Sequence, residues 1–271
     1  MGSYVDAGVK TWFDTAGDTG EPLVLLHGGI VGNESWGMQM PVFAESFRVF
    51  APERRGHGHT PDVDGPLTYE DMAADTVAFI EQVVNEPAHL VGWSDGGNVA
   101  LLVAIERPDL VRKVAVMGAN FDSDGMVAGV EELTPDAPDL AMFKVMYEAV
   151  SPDGAEHWPV FIGKIAQMWN NFHIPIERLA TVEAPTLVMV GDDDMITLEH
   201  TIAMYRAISN SDLSVVPHAS HLVPMEQAEL VNQLIVRFLK DEPPATLMPI
   251  RRAEHGSTGP HPLPARRSLG R

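Results

Sequence analysis

The segment His89-Leu90-Val91-Gly92-Trp93-Ser94-Asp95-Gly96-Gly97-Asn98 constrains the fold more than any other part of this chain. A short apolar run of strand character meets a Gly-x-Ser-x-Gly turn, and a helical pattern from Asn98 to Glu106 follows at once. A strand that turns into a helix over so few residues brings two backbones close together. Gly92 and Gly96 then have no room for side chains, and Ser94 is left projecting at the carboxyl end of the strand.

The rest of the chain repeats this alternation. Leu23–Leu26, Arg48–Ala51, Val111–Met117, Thr186–Val190 and Ser214–Val216 read as strands, while Tyr69–Val84, Leu198–Ile208 and Ala228–Lys240 carry the apolar spacing of helices. The pattern predicts an α/β fold, a mostly parallel twisted sheet with helices on both faces. Between Gly118 and Pro185 no β-rich run occurs. Helical patterns over Leu140–Val150 and Val160–Trp169, separated by Pro135, Pro138, Pro152 and Gly154, predict a helical cap inserted after a strand. The expected organisation is a core of residues 1–119 and 183–242, a cap of 120–182, and a tail of 243–271. That tail holds prolines and five arginines against a single acid, Glu254, and reads as a loosely tethered extension.

With no cysteine in the chain, a nucleophile must be oxygen- or nitrogen-based. A serine hydroxyl needs a base to take its proton, and an imidazole is the usual partner. His221, in a loop after the last strand, is the expected base, with His218 the second choice; His27 reads as a structural hydrogen-bonding residue. A carboxylate should orient that base. Asp192, Asp193 and Asp194 stand together at a strand end and Asp122 follows another strand, and the alternation of the strand does not choose among them. An oxyanion hole would draw on the N–H groups of Asp95 and Gly29. Trp36, Phe121, Phe143, Tyr147, Trp158, Phe161 and Trp169 are the candidate apolar lining of a substrate pocket.

Other chemistries fit less well. His218 and His221 lack further ligands at metal-binding spacing, Gly28-Gly29-Ile30-Val31-Gly32 does not match a dinucleotide loop, and no metal or organic cofactor is expected. A net charge of −20 argues against nucleic acid or an anionic membrane as partner. Met1 to Gly20 lacks the apolar core of a signal peptide and no window approaches the ~18 apolar residues of a membrane span, so the sequence reads as cytoplasmic. A small-molecule ester or lactone is the expected partner; oligomeric state stays open.

These residues resemble those of α/β-hydrolase-fold serine hydrolases. The family's His-Gly-x loop falls on His27-Gly28-Gly29, its elbow on Gly92 to Gly96, and its Gly-x-x-Asp motif on Gly191 to Asp194. The resemblance implies Ser94 as nucleophile, selects Asp194 as the acid and carries the catalytic histidine to His221. The chain departs from the family in two places: Glu53 stands where an aspartate is common, in Glu53-Arg54-Arg55-Gly56-His57-Gly58, and His218 stands where a glycine is common. Gly92-Trp93-Ser94-Asp95-Gly96-Gly97 with Gly118-Ala119-Asn120 is similar to valacyclovir-hydrolase-like amino-acid-ester hydrolases, which implies that Asp95 binds a substrate ammonium. A second reading on the same scaffold, hydrolysis of a carbon–carbon bond in a vinylogous keto acid, calls for a cationic clamp, for which the cap offers Lys144, Lys164 and Arg178. A third, a slow-turnover ligand receptor, shares the fold without sharing the role.

Overall fold

The structure is a computed structural model and describes residues 2–129, 133–241 and 246–250. Eight strands form one sheet: β1 Ser3–Asp6, β2 Lys10–Ala16, β3 Pro22–Leu26, β4 Arg48–Pro52, β5 Ala88–Trp93, β6 Val111–Met117, β7 Thr186–Gly191 and β8 Ser211–Val216. Their order is β1-β2-β4-β3-β5-β6-β7-β8. The six strands from β4 to β8 in that order run parallel, while β1 and β2 join antiparallel at one edge. Those two strands escape the hydrophobic pattern because they lie at the rim: β1 is mostly exposed and β2 alternates only weakly. The helices are α1 Met40–Phe43, α2 Tyr69–Phe79, α3 Asp95–Glu106, α4 Ala141–Val150, α5 Trp158–Asn170, α6 Ile176–Leu179, α7 Leu198–Ala207, α8 Val223–Glu226 and α9 Ala228–Leu239.

Alternate side chains of each strand feed opposite layers, as the pleat requires. Val24, Leu26, Leu90, Val114, Val116 and Val188 pack with residues of α2, α3 and α7. Leu23, Leu25, Val49, Val91, Ala115 and Met189 pack on the other face with Phe43 of α1 and Val231 and Ile235 of α9. Because the central strands are covered on both sides, they read as continuous apolar runs.

The strand order reverses between β3 and β5: the chain leaves β3 for β4 on one side and later returns to β5 on the other. In an open parallel sheet, the crevice beyond the carboxyl ends at such a point is where ligands bind. His27-Gly28-Gly29 leaves β3 there and Ser94 follows β5. The connection from β6 to β7 holds α4, α5 and α6 and no named strand. A short bridge between Asp122 and His173 joins its two ends, and another between Met126 and Ile196 ties it to the chain beyond β7. Apart from 246–250, the basic tail lies outside the described residues.

Candidate active site

Ser94 sits in the turn between β5 and α3 with φ 54° and ψ −124°. Few non-glycine residues adopt this conformation, and it is held by Ser94 N–H donating to Met117 O at 2.8 Å and by Gly97 N–H donating to Ser94 O at 2.7 Å. A Cβ at Gly92 would run into the Gly96 carbonyl, and one at Gly96 into that of Leu26, so both glycines are required by close backbone approach.

His221 Nε2 lies 2.8 Å from Ser94 Oγ, and His221 Nδ1 lies 2.7 Å from Asp194 Oδ1. Asp194 Oδ1 also accepts the N–H of Ile196 at 2.9 Å. The Asp194 carboxylate is fully buried, and its Oδ2 has no partner among the described residues. Two backbone bonds join the acid loop to the histidine loop, Asp192 N–H to Val216 O and Asp193 N–H to Ala219 O. Trp93 Nε1 donates to His221 O at 2.8 Å and anchors the histidine backbone to β5.

The other candidates have different places. His218 is exposed and adopts a positive φ of 56°, which accounts for the glycine common at this position. Asp192 accepts from Ala219 N, Asp193 stands exposed at the cavity mouth, and Asp122 pairs with His173. His27 is buried: its Nε2 accepts Arg54 N–H at 3.1 Å, so its proton is on Nδ1, 2.8 Å from Gly28 O. Burial, with Arg54 and His57 beside it, holds His27 well below the usual range and keeps it neutral.

A cavity of about 620 Å³ opens over Ser94 and His221. Phe143 of α4 and Trp169 of α5 line it, as do Gly29 and Asp95. The other five aromatic candidates lie elsewhere. Trp36 is fully buried beneath the sheet with Phe43 and Val31, because it belongs to a short turn packed on the α9 side. Tyr147, Trp158 and Phe161 pack on one another, Tyr147 stacking on Phe161 at 5.0 Å and Trp158 donating to Pro135 O; the cluster packs within the inserted segment and, through Phe161, against His57 of the core. Phe121 stacks on His200 at 3.8 Å. Helical spacing cannot separate the side of a cap helix that packs on its neighbour from the side that faces a ligand.

The charged residues lining the cavity are Asp95, Asp139 and Asp193 beside His221; no Lys or Arg lines it among the described residues. Lys164 donates to Asp62 and Val63 O, Arg178 to Glu106, and Lys144 lies 3.8 Å from Asp136. Asp95 is only 3% exposed. Its Oδ1 accepts the Tyr69 hydroxyl at 2.6 Å, and Trp169 Nε1 donates to both carboxylate oxygens at 3.1 Å. Burial and the Asp95 charge push the Tyr69 phenol well above its ordinary range, so it keeps its proton and donates. Sequence reasoning missed Tyr69, since at the start of α2 it reads as one more apolar position on a helix face.

Comparison with known proteins identifies the family. A sequence model of the alpha/beta hydrolase family matches residues 23–234. The chain belongs to that family. The 2-hydroxymuconate semialdehyde hydrolase of Pseudomonas sp. strain CF600 is 26% identical to this hydrolase, covering 90% of this chain and 95% of that protein. The serine hydrolase BPHL of Homo sapiens is 28% identical, covering 86% of this chain and 84% of that one. Among solved structures, a meta-cleavage product hydrolase from Pseudomonas fluorescens IP01 superimposes with a TM-score of 0.76 at 22% identity, covering 89% of this hydrolase and 98% of that chain. No helix among the described residues of this hydrolase is long and apolar enough to cross a membrane.

Proposed function

We propose that this hydrolase cleaves carboxylic esters or lactones through an acyl-enzyme, and that it favours substrates carrying an ammonium group beside the carbonyl. The observation that carries the reading is the hydrogen-bonded chain Ser94–His221–Asp194 beneath a cavity whose charged lining, His221 aside, is carboxylate.

In this mechanism Ser94 Oγ attacks the carbonyl carbon while its proton passes to His221 Nε2. Asp194 holds the proton on Nδ1 and stabilises the imidazolium that forms. The carbonyl oxygen becomes an oxyanion facing the N–H groups of Gly29 and Asp95; the latter opens α3, where the first-turn amides have no acceptor within the helix. Collapse of the tetrahedral intermediate breaks the carbon–oxygen bond, and the leaving alcohol takes the proton from His221. Water then repeats the sequence against the acyl-enzyme, with His221 as its base, and frees the acid and Ser94. An α-ammonium group lies two bonds from the carbonyl carbon, a short reach that suits a carboxylate on the residue next to the nucleophile. Hydrolysis of a keto acid would set a substrate carboxylate in the same cavity without a facing Lys or Arg among the described residues, which disfavours the carbon–carbon reading.

The test compares the 4-nitrobenzyl esters of alanine, propionate and succinate. The alanine ester is expected to exceed the propionate ester in kcat/KM by at least about tenfold, as a charge-assisted contact implies. The anionic succinate ester is expected to be slowest, and Asp95→Asn should bring alanine and propionate together. Equal rates for the alanine and propionate esters in the unmodified protein would sink the ammonium preference, and succinate as the best substrate would favour the alternative.

A further inference from the structure

A carboxylate that is to recognise a cation inside a protein must be held fixed and keep an acceptor direction open. Asp95 meets these conditions through two neutral donors. The Tyr69 hydroxyl reaches Oδ1 from α2 at 2.6 Å, and the Trp169 indole N–H, from the last turn of α5, is shared between Oδ1 and Oδ2 at 3.1 Å each. A carboxylate offers about four acceptor directions. Oδ1 has two occupied and Oδ2 has one, so Oδ2 retains acceptor capacity. Arg54 is buried near enough for its charge to interact with that of Asp95, but it makes no hydrogen bond to the carboxylate, donating instead to Gly28 O, and it does not line the cavity.

Gly29 shows what lies beside Asp95 Oδ2. A Cβ built there would meet Asp95 Oδ2 at 2.5 Å and Trp169 Cζ2 at 3.2 Å. The carboxylate and the indole edge therefore lie directly over the backbone that supplies one candidate oxyanion donor. Gly29, Tyr69, Asp95 and Trp169 all line the same cavity.

Resting on the function proposed above, we infer that Tyr69 and Trp169 are its specificity-determining positioning residues: two uncharged donors, one from the core and one from the inserted segment, that aim Asp95 Oδ2 at a substrate α-ammonium group. Because Trp169 belongs to α5, ammonium selectivity requires that helix to be seated on the core. Neither residue touches the proton relay of Ser94, His221 and Asp194, so their removal changes discrimination between substrates more than the rate common to both.

The experiment measures kcat and KM for the alanine and propionate esters in Trp169→Phe and Tyr69→Phe, each of which keeps an aromatic ring and removes one donor. Each variant is expected to lower the ratio of alanine to propionate kcat/KM by about tenfold. The loss should fall chiefly in KM for the alanine ester, and the circular dichroism spectrum and thermal unfolding of each variant report whether the fold is intact. In the unmodified protein, the Trp169 indole N–H resonance should shift on addition of L-alaninamide and stay in place with propionamide, which keeps the inference testable if either variant fails to fold. Ratios unchanged in the folded variants, or an indole resonance indifferent to alaninamide, would overturn the role of these donors. If the unmodified protein shows no alanine preference at all, the underlying function fails instead, and the two failures are distinct.

Discussion

Ser94 holds a backbone conformation that costs of order 1–3 kcal/mol for a residue with a side chain, and its neighbours bear that cost through the bonds to Met117 and Gly97. A second strained chemistry lies behind the site in His57, which is buried with its Nδ1 2.9 Å from Arg55 O and its ring edge-on to Phe161. Burial, with the Arg54 charge beside it, pushes His57 down from 6.5 to about 3. Between those values the unfolded chain binds one proton more than the folded one, so stability rises with pH and is lost on acidification below 6.5. The contribution approaches about 1.4 kcal/mol per pH unit. His57→Gln removes the titrating group, and denaturant unfolding at pH 7, 6 and 5 should show a correspondingly shallower loss than in the unmodified protein. An identical slope would mean that His57 is protonated in the folded state.

At the scale of elements, α5 does two jobs along its length. Its last turn brings Trp169 to Asp95, while Lys164 at its middle donates to Asp62 Oδ2 at 2.6 Å and to Val63 O at 2.6 Å, with His157 adding a second contact to the same carboxylate at 2.7 Å. Asp62 follows β4 and its side chain is buried, so the cluster fastens the inserted helix to the core. Lys164→Met leaves Asp62 with one partner fewer and should cost about 2 kcal/mol of stability by denaturant unfolding. Because α5 carries Trp169, the same variant should raise KM for the alanine ester several-fold. A loss of stability with KM unmoved would separate the two jobs of the helix. The sequence shows α5 clearly as a helix, from Val160 to Trp169, yet conceals this division of labour. The partners of Lys164 and Trp169 are about 100 and 74 positions away along the chain, and helical periodicity reports only that a face is apolar.

Across the whole molecule, a net charge of −20 surrounds a cavity lined by three carboxylates, and the resulting field should concentrate small cations. Raising ionic strength from about 0.01 M to 0.5 M shortens the screening length from about 30 Å to a few ångströms. The kcat/KM of the alanine ester should then fall several-fold while that of the propionate ester holds steady; parallel behaviour of the two would show that the net charge plays no part in capture. Much of this molecule was legible along the chain, because its signals are local. Gly92, Ser94 and Gly96 must be close in sequence to make a tight strand-to-helix turn, and a buried parallel strand is a short apolar run wherever it occurs. The rest depended on distance in space. Strand alternation left Asp192, Asp193 and Asp194 open and only the resemblance to the family's Gly-x-x-Asp motif pointed to Asp194; what brings that one carboxylate to His221 is the chain path beyond β7. Sending Trp36 into the core while Trp169 reaches the cavity required the packing of helices against a sheet, which no spacing of apolar residues encodes, since an indole buried by its neighbours and an indole facing a ligand lose the same water.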